Sequence, residues 1–300
     1  MTITFGPGAR TVLAPATSAN LGPGFDALGL ALDLCDEVTA WVTEDGRTSV
    51  TVEGEGAGEL PADDTHLVVR AMRETFAELG AQPAGLGLHC RNRIPQARGM
   101  GSSSAAIVAG VTLANALAGG RLSRADEVRI AGRIEGHPDN IAPCLLGGFT
   151  IAWGGADAAR AVSLPVAPGV RPTVFVPAVR GFTAQARAAL PPQVPHADAA
   201  FNAGRSALLV HALTAEPGLL YEATEDRLHQ DYRAPGMPQT AELVARLRAA
   251  GAAAVVSGAG PSVLVLSALP SDFTPDGSWV SHSIAVNAGG AVVCEGRIPC

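Results

Sequence analysis

The sequence contains no lysine: all 21 of its basic residues are arginine. That absence removes several chemistries. A pyridoxal phosphate enzyme needs a lysine for its Schiff base. A Walker-type phosphate loop needs G-K-[ST], and a protein kinase needs the lysine of its third strand. Other signatures are missing as well. No G-x-G-x-x-G opens a helix, which excludes the usual dinucleotide fingerprint. There is no G-x-S-x-G elbow of the serine hydrolases, and no pair of the seven histidines stands four apart as an H-E-x-x-H zinc site requires. The five cysteines, Cys35, Cys90, Cys144, Cys294 and Cys300, are widely spaced without a C-x-x-C, so most of them read as small core residues. The net charge of −7, with no basic run, argues against a nucleic-acid surface. The opening MTITFGPGAR lacks the regions of a secretory signal, and the most apolar stretch, 105–117, is too short to span a bilayer. A cytoplasmic chain with no membrane partner is expected.

What is present is a hydrophobic content of 47% over 300 residues, enough for about two well-buried domains. TVLAPATSAN predicts a short strand that breaks at Pro15. VTAWVTEDGRTSVTVEG alternates on both sides of Asp45-Gly46 and predicts a β-hairpin with a type I′ turn. His66 to Leu79 has helical spacing, Leu86 and Leu88 mark a strand, and Ala106 to Leu117 is apolar on nearly every face, as in a buried helix. LSRADEVRIAGRIEG predicts a helix capped by Ser123 with Asp126 three residues on, stopped at Gly136 and Pro138. GGFTIAW reads as a strand. Gly154 to Pro172 is loose, and a domain boundary is expected near residue 160. Beyond it follow a strand TVFV, helices near 183–190, 199–213 and 240–250, a strand AAVV, a turn SGAGPS and a strand VLVL. Strands interleaved with helices predict an α+β fold.

Four segments carry chemistry. In PQARGMGSSSAAIVAG, Gly99 and Gly101 free the backbone, and Ser102, Ser103 and Ser104 stand where a helix begins. The first turn of a helix leaves its N–H groups unpaired, and the dipole adds roughly half a positive charge there, so an anion can be held without a lysine. Taken alone, the segment is also compatible with a glycine turn and a serine cap. In EGHPDNIAP, Glu135 ends one helix, and Asp139 and Asn140 follow a proline-fixed turn; a carboxylate there can ligate Mg²⁺ or merely cap its own turn. In PATSANLGPGFD, Asn20 and Asp26 could grip a small polar substrate. In FTAQAR, Thr183 and Arg187 share a helix face that suits a carboxylate ligand. DRLHQDYR adds Arg227 and Arg233, and its His229 reads as a packing or hydrogen-bonding residue.

In this order the segments resemble the GHMP small-molecule kinases, the family named for galactokinase, homoserine kinase, mevalonate kinase and phosphomevalonate kinase. The family's central motif P-x-x-x-G-L-G-S-S-x-A is matched by Pro95, Gly99, Met100, Gly101, Ser102, Ser103 and Ala105, with Met100 in place of leucine. Its last motif is matched by Gly258, Ala259, Gly260 and Pro261. PATSANLGPGFDALGLAL, EGHPDNIAP, TAQAR and DRLHQDYR look like the branch that phosphorylates homoserine.

The resemblance implies a two-domain α+β fold, with a domain like ribosomal protein S5 domain 2 over 1–160 and a ferredoxin-like domain over 161–300. It implies Mg²⁺ and ATP, with L-homoserine as acceptor and a homodimer as the assembly. Pro95, Gln96, Ala97, Arg98, Gly99, Met100, Gly101, Ser102, Ser103, Ser104 and Ala105 would wrap the nucleotide phosphates. Ser103 and Glu135 would hold the metal and, with Asn140, form the catalytic set. Asn20, Asp26, Asn140, Thr183, Arg187, Arg233 and Gly260 would grip the acceptor. Arg187 and Arg233 would take its carboxylate, and Asp26 its amino group or hydroxyl. Asn140 stands where other branches have a proposed aspartate base, so catalysis without a dedicated base is expected. His66 stands where relatives often have asparagine, close to the adenine. The same motifs are compatible with a GHMP kinase for another hydroxy acid such as mevalonate, or with a binding protein of the same fold.

Overall fold

A computed structural model describes residues 5, 8–155, 157–270 and 273–296; Cys300 lies outside them. The elements are β1 (Ala9–Ala19), β2 (Leu28–Thr43), β3 (Thr48–Gly54), α1 (Leu67–Glu78), β4 (Gly85–Asn92), α2 (Ser102–Leu117), α3 (Arg124–Glu135), α4 (Ile141–Leu146), β5 (Phe149–Trp153), β6 (Arg160–Leu164) and β7 (Thr173–Pro177). Then come α5 (Thr183–Ala188), α6 (His196–Thr214), α7 (Leu220–Ala223), α8 (Gln230–Arg233), α9 (Pro238–Ala249), β8 (Ala254–Val256), β9 (Val263–Val265), β10 (Trp279–Ser283) and β11 (Val292–Gly296).

The first sheet has seven strands in the path β11-β1-β2-β4-β3, with β5 on β2 and β6 on β5. Two expectations fail here. β1 does not break at Pro15 but runs through it, because the register against β2 shifts between Pro15 and Ala16. A bulge is one of the places where a strand tolerates a residue without an N–H. Nor do β2 and β3 form a hairpin: β4 lies between them, antiparallel to β2 and parallel to β3. β3, α1 and β4 thus make a β-α-β crossover. The Asp45-Gly46 corner exists, but Asp45 Oδ1 accepts from Thr43 Oγ1 and Arg47 N in a local loop. A two-residue turn signal could not reveal that a strand from 40 residues downstream would claim the edge of β2.

The second sheet is antiparallel in the order β10-β7-β9-β8. Numbered along the chain, its strands run 4-1-3-2, the order of a ferredoxin-like sheet, although no helix joins β9 to β10 among the described residues. One face carries Val174, Val176, Val255 and Leu264, which join the large core built on β1, β2, α1 and α2. The other carries Phe175, Val263 and Val265, which pack with Leu243 and Leu247 of α9 in a second cluster. At apolar burial of roughly 25 cal/mol per Å², these two clusters are the main source of stability.

α2 is the axis of the first lobe. Val108, Val111, Leu113 and Leu117 are buried on it, and Gly110 lets α1 approach, since a Cβ there would meet Val68 O and Ala71. α3 carries the expected capping box between Ser123 and Asp126 and ends at Gly136 in the left-handed region.

Candidate active site

The N-terminus of α2 opens into a cleft of about 250 Å³ between the lobes. Gly101 is the N-cap, with φ 71°, and no side chain among the described residues caps the helix. A Cβ on Gly101 would collide with Thr17 Oγ1, and one on Gly99, also at positive φ, would collide with Ser257 O. Both glycines are therefore fixed by close approach as well as by φ. Three bonds tie this loop to its surroundings: Thr17 N to Met100 O (3.1 Å), Gly181 N to Ala97 O (2.7 Å) and Ser257 Oγ to Gly99 O (2.6 Å).

The loop's side chains divide by role. Met100 and Ala105 are buried in the core. Arg98 is spent on backbone, donating to Pro177 O, Gln96 O and Ala178 O at 2.9 Å. Ala97 through Ser104 line the cleft, whereas Pro95, Gln96 and Ala105 do not. Ser103 Oγ and Ser104 Oγ both donate to Glu135 Oε1 at 2.8 Å. Oxygen donors thus gather beside unpaired amides where the helix dipole is positive.

On the opposite wall, Arg187 donates to Asp26 through Nη2 (2.7 Å) and Nη1 (3.0 Å). The hydrogen bond and charge of Asp26 raise the Arg187 pKa above its ordinary value, against the opposing effect of burial. Asn20 Nδ2 donates to Gly258 O at 2.8 Å, and its Oδ1 accepts from Asp26 N at 3.0 Å. Asn20, Asp26 and Ala97 all have positive φ, a backbone cost that persists where surrounding contacts impose it, often at functional sites. Arg233 is buried; its Nε donates to Ala186 O at 3.1 Å. Thr183 and Gly260 also line the cleft. Arg227 does not join this wall; it pairs with Asp198 and stacks on Phe201.

At the floor, Asn140 Oδ1 accepts from Thr17 Oγ1 at 2.7 Å. That bond orients the amide, and Nδ2 makes no hydrogen bond to any described residue. Asp139 is buried, and its Oδ1 is 2.7 Å from His137 Nδ1 and accepts from Asn140 N at 3.1 Å. Burial lowers the His137 pKa, but the bond and charge of Asp139, with the charge of Glu135, outweigh it and leave the pKa raised. Thr17 and His137 line or support the site, and sequence reasoning did not single them out. His137 stood inside the quoted EGHPDNIAP segment. Thr17 stood inside the quoted PATSANLGPGFD segment, but its partner is 123 positions away.

A second cavity of about 330 Å³ adjoins the loop, sharing Ala97, Ser102 and Ser103 with the cleft. Apolar Leu60 and Val68 line it together with Asp36, Asn92, Gln96 and His66. His66 is buried and its Nδ1 has no hydrogen-bond partner among the described residues. Burial lowers its pKa and favours the neutral ring. Burial likewise pushes Asp36 up to about 6, against the pull of the Ile94 and Arg93 amides.

Residues 66–148 match the model of the GHMP kinases N terminal domain, and residues 209–273 match that of the GHMP kinases C terminal domain. A homoserine kinase of Streptomyces avermitilis is 51% identical over 296 residues, covering 96% of this chain and 97% of its own. The chain belongs to the GHMP kinase family. The homoserine kinase of Clavibacter michiganensis is 51% identical over 302 residues, covering 96% of both chains. Among solved structures, homoserine kinase from Cytophaga hutchinsonii superposes with a TM-score of 0.84 at 28% identity, covering 98% of this chain and all of that one. The two-sheet architecture is that of the two-domain GHMP kinase fold.

Proposed function

We propose that this chain is a homoserine kinase, moving the γ-phosphoryl group of ATP to the side-chain hydroxyl of L-homoserine to give O-phospho-L-homoserine and ADP, the acceptor chemistry that precedes threonine synthesis. The observation that carries the reading is the juxtaposition across one cleft of the uncapped α2 N-terminus, with Ser103 on Glu135, and the Asp26–Arg187 pair beside Arg233. A zwitterionic amino acid fits such a pair. Its ammonium replaces Arg187 at Asp26, and its carboxylate takes the freed guanidinium together with Arg233.

The nucleotide's phosphates lie against the amides of Gly101 to Ser104, and its base enters the cavity that holds His66. Ser103 and Glu135 would hold Mg²⁺: the donors are hard oxygens, and Glu135 Oε1 already draws two hydroxyls. Among the described residues no group of three or more His, Cys, Asp or Glu is suited to a metal, so such an ion would take its other ligands from phosphate and water. When bound, it neutralises phosphate charge. Asn140, oriented by Thr17, offers Nδ2 to the acceptor oxygen and cannot take its proton. Phosphoryl transfer asks for positioning and charge neutralisation more than for a base, and the proton passes to a phosphate oxygen or to water. We take the working form to be a cytoplasmic homodimer, on family resemblance.

The test is a coupled ADP-release assay with Mg·ATP against homoserine, mevalonate, galactose and serine. Turnover on the order of 1–100 s⁻¹ is expected with homoserine. A clear preference for mevalonate would reassign the acceptor, and no turnover with any alcohol would point to a binding protein.

A further inference from the structure

His229, at the N-cap of α8, is fully buried directly behind Arg233. Arg233 Nη1 lies 3.0 Å from His229 Nδ1, and His229 Nε2 lies 2.8 Å from Gly22 O. The guanidinium can only donate. Nδ1 must therefore be bare, and Nε2 must carry the proton it donates to Gly22. One neutral tautomer satisfies both neighbours, and the cation cannot. Gly22 belongs to the loop that carries Asn20 and Asp26, so the imidazole links that loop to Arg233. The Phe25 ring completes the enclosure, 5.3 Å from the imidazole and 5.3 Å from the Arg233 guanidinium. With Nε on Ala186 O and Nη1 on His229, the Arg233 fork keeps Nη2 without a partner among the described residues.

We propose that His229 is a positioning residue that sets Arg233 to receive the carboxylate of the amino-acid acceptor, and that it does so only in its neutral, Nε2-protonated form. The inference rests on the homoserine reading above. The charged groups facing the ring are Asp226, 3.6 Å from Nε2, Arg233 on α8, and Asp26 from the substrate loop. Asp226 accepts three backbone N–H bonds, from Leu228, His229 and Gln230, which hold it in place. Burial lowers the His229 pKa, and the carboxylates oppose this without reversing it. The ring is therefore neutral at pH 7. Acid puts a cation against Arg233 and removes its acceptor, so acceptor affinity falls as pH falls.

Two variants separate the two ends of the ring. His229→Asn keeps an oxygen acceptor near the Nδ1 position and does not titrate. His229→Gln keeps an N–H toward Gly22 and lacks the acceptor. In wild type the homoserine KM should rise about tenfold between pH 7.5 and 5 with kcat little changed, the scale of one lost bond to a charged group. His229→Asn should stay within about threefold of the wild-type KM and show no such rise. His229→Gln should have a KM raised about tenfold at every pH, with the KM for ATP unmoved. Thermal melts check folding, and if the Gln variant fails to fold the pH profile of the Asn variant still decides. A folded His229→Gln with wild-type homoserine KM, or an acid rise that persists in His229→Asn, overturns the inference while leaving the kinase reading intact. Absence of homoserine turnover in wild type instead overturns that reading, and this inference with it.

Discussion

Asp139 and Asn140 are adjacent in sequence and opposite in consequence. Asp139 spends its Oδ1 on His137 and on the Asn140 amide, whereas Asn140 is turned by Thr17 so that it can donate. A general base contributes typically 10²–10⁴-fold, so if Asp139 were one, Asp139→Asn would lose that much. The expected kcat loss is instead less than about tenfold. Asn140→Ala should lose more, and Glu135→Ala should lose roughly 10²-fold or more while keeping its melting temperature. Steady-state kinetics and melts on the three variants check this. A collapse confined to Asp139→Asn, with folding and binding intact, contradicts catalysis without a base. Most of these residues were legible because the motif segments are contiguous: Ser103, Glu135, Asn20 and Asp26 each stand in a quoted run. What could not be read was orientation. That Asp26 pairs with Arg187 is fixed across 161 positions, and no local pattern encodes which way a carboxylate turns.

At the scale of the element, α2 shows how backbone requirements become function. Gly46 and Gly101 have nearly the same φ, 72° and 71°. A Cβ on Gly46 would meet nothing within 4 Å, whereas one on Gly101 would strike Thr17 Oγ1 and crowd Asn140 Oδ1. Alanine at either position costs about 1–2 kcal/mol for the left-handed backbone. Gly46→Ala should therefore lose only that, with kcat/KM unchanged. Gly101→Ala should destabilise more, and kcat/KM should fall at least tenfold, because the Thr17–Asn140 bond and the cap are both displaced. Equal effects of the two substitutions would mean that the cap does not shape the site. Helices with strong periodicity or caps, such as α1 and α3, were readable in advance. The failures lie where partners are distant. β6, in the loose stretch, is largely exposed and shows no clean alternation. β11 pairs with β1 from the far end of the chain. α4 is six residues, too short to declare a period.

The whole molecule places two unlike chemistries on opposite walls of one cleft. The first lobe supplies uncapped amides and hard oxygens. α5 and α8 supply the two arginines, and the β1–β2 loop of the first lobe reaches across to meet them. The walls are held by bonds such as Gly181 N to Ala97 O and Asn202 Nδ2 to Pro23 O at 2.6 Å, over a core continuous between the sheets. With no lysine in the sequence and Arg98 committed to backbone carbonyls, the proposed phosphate site is the helix terminus. The most direct measurement is a backbone amide NMR titration of the full chain with Mg²⁺ and a non-hydrolysable ATP analogue. The largest shifts are predicted at the amides of Gly101, Ser102, Ser103 and Ser104, moving downfield as hydrogen bonds to phosphate form. Amides there that stay still while the nucleotide perturbs another part of the protein would contradict the account.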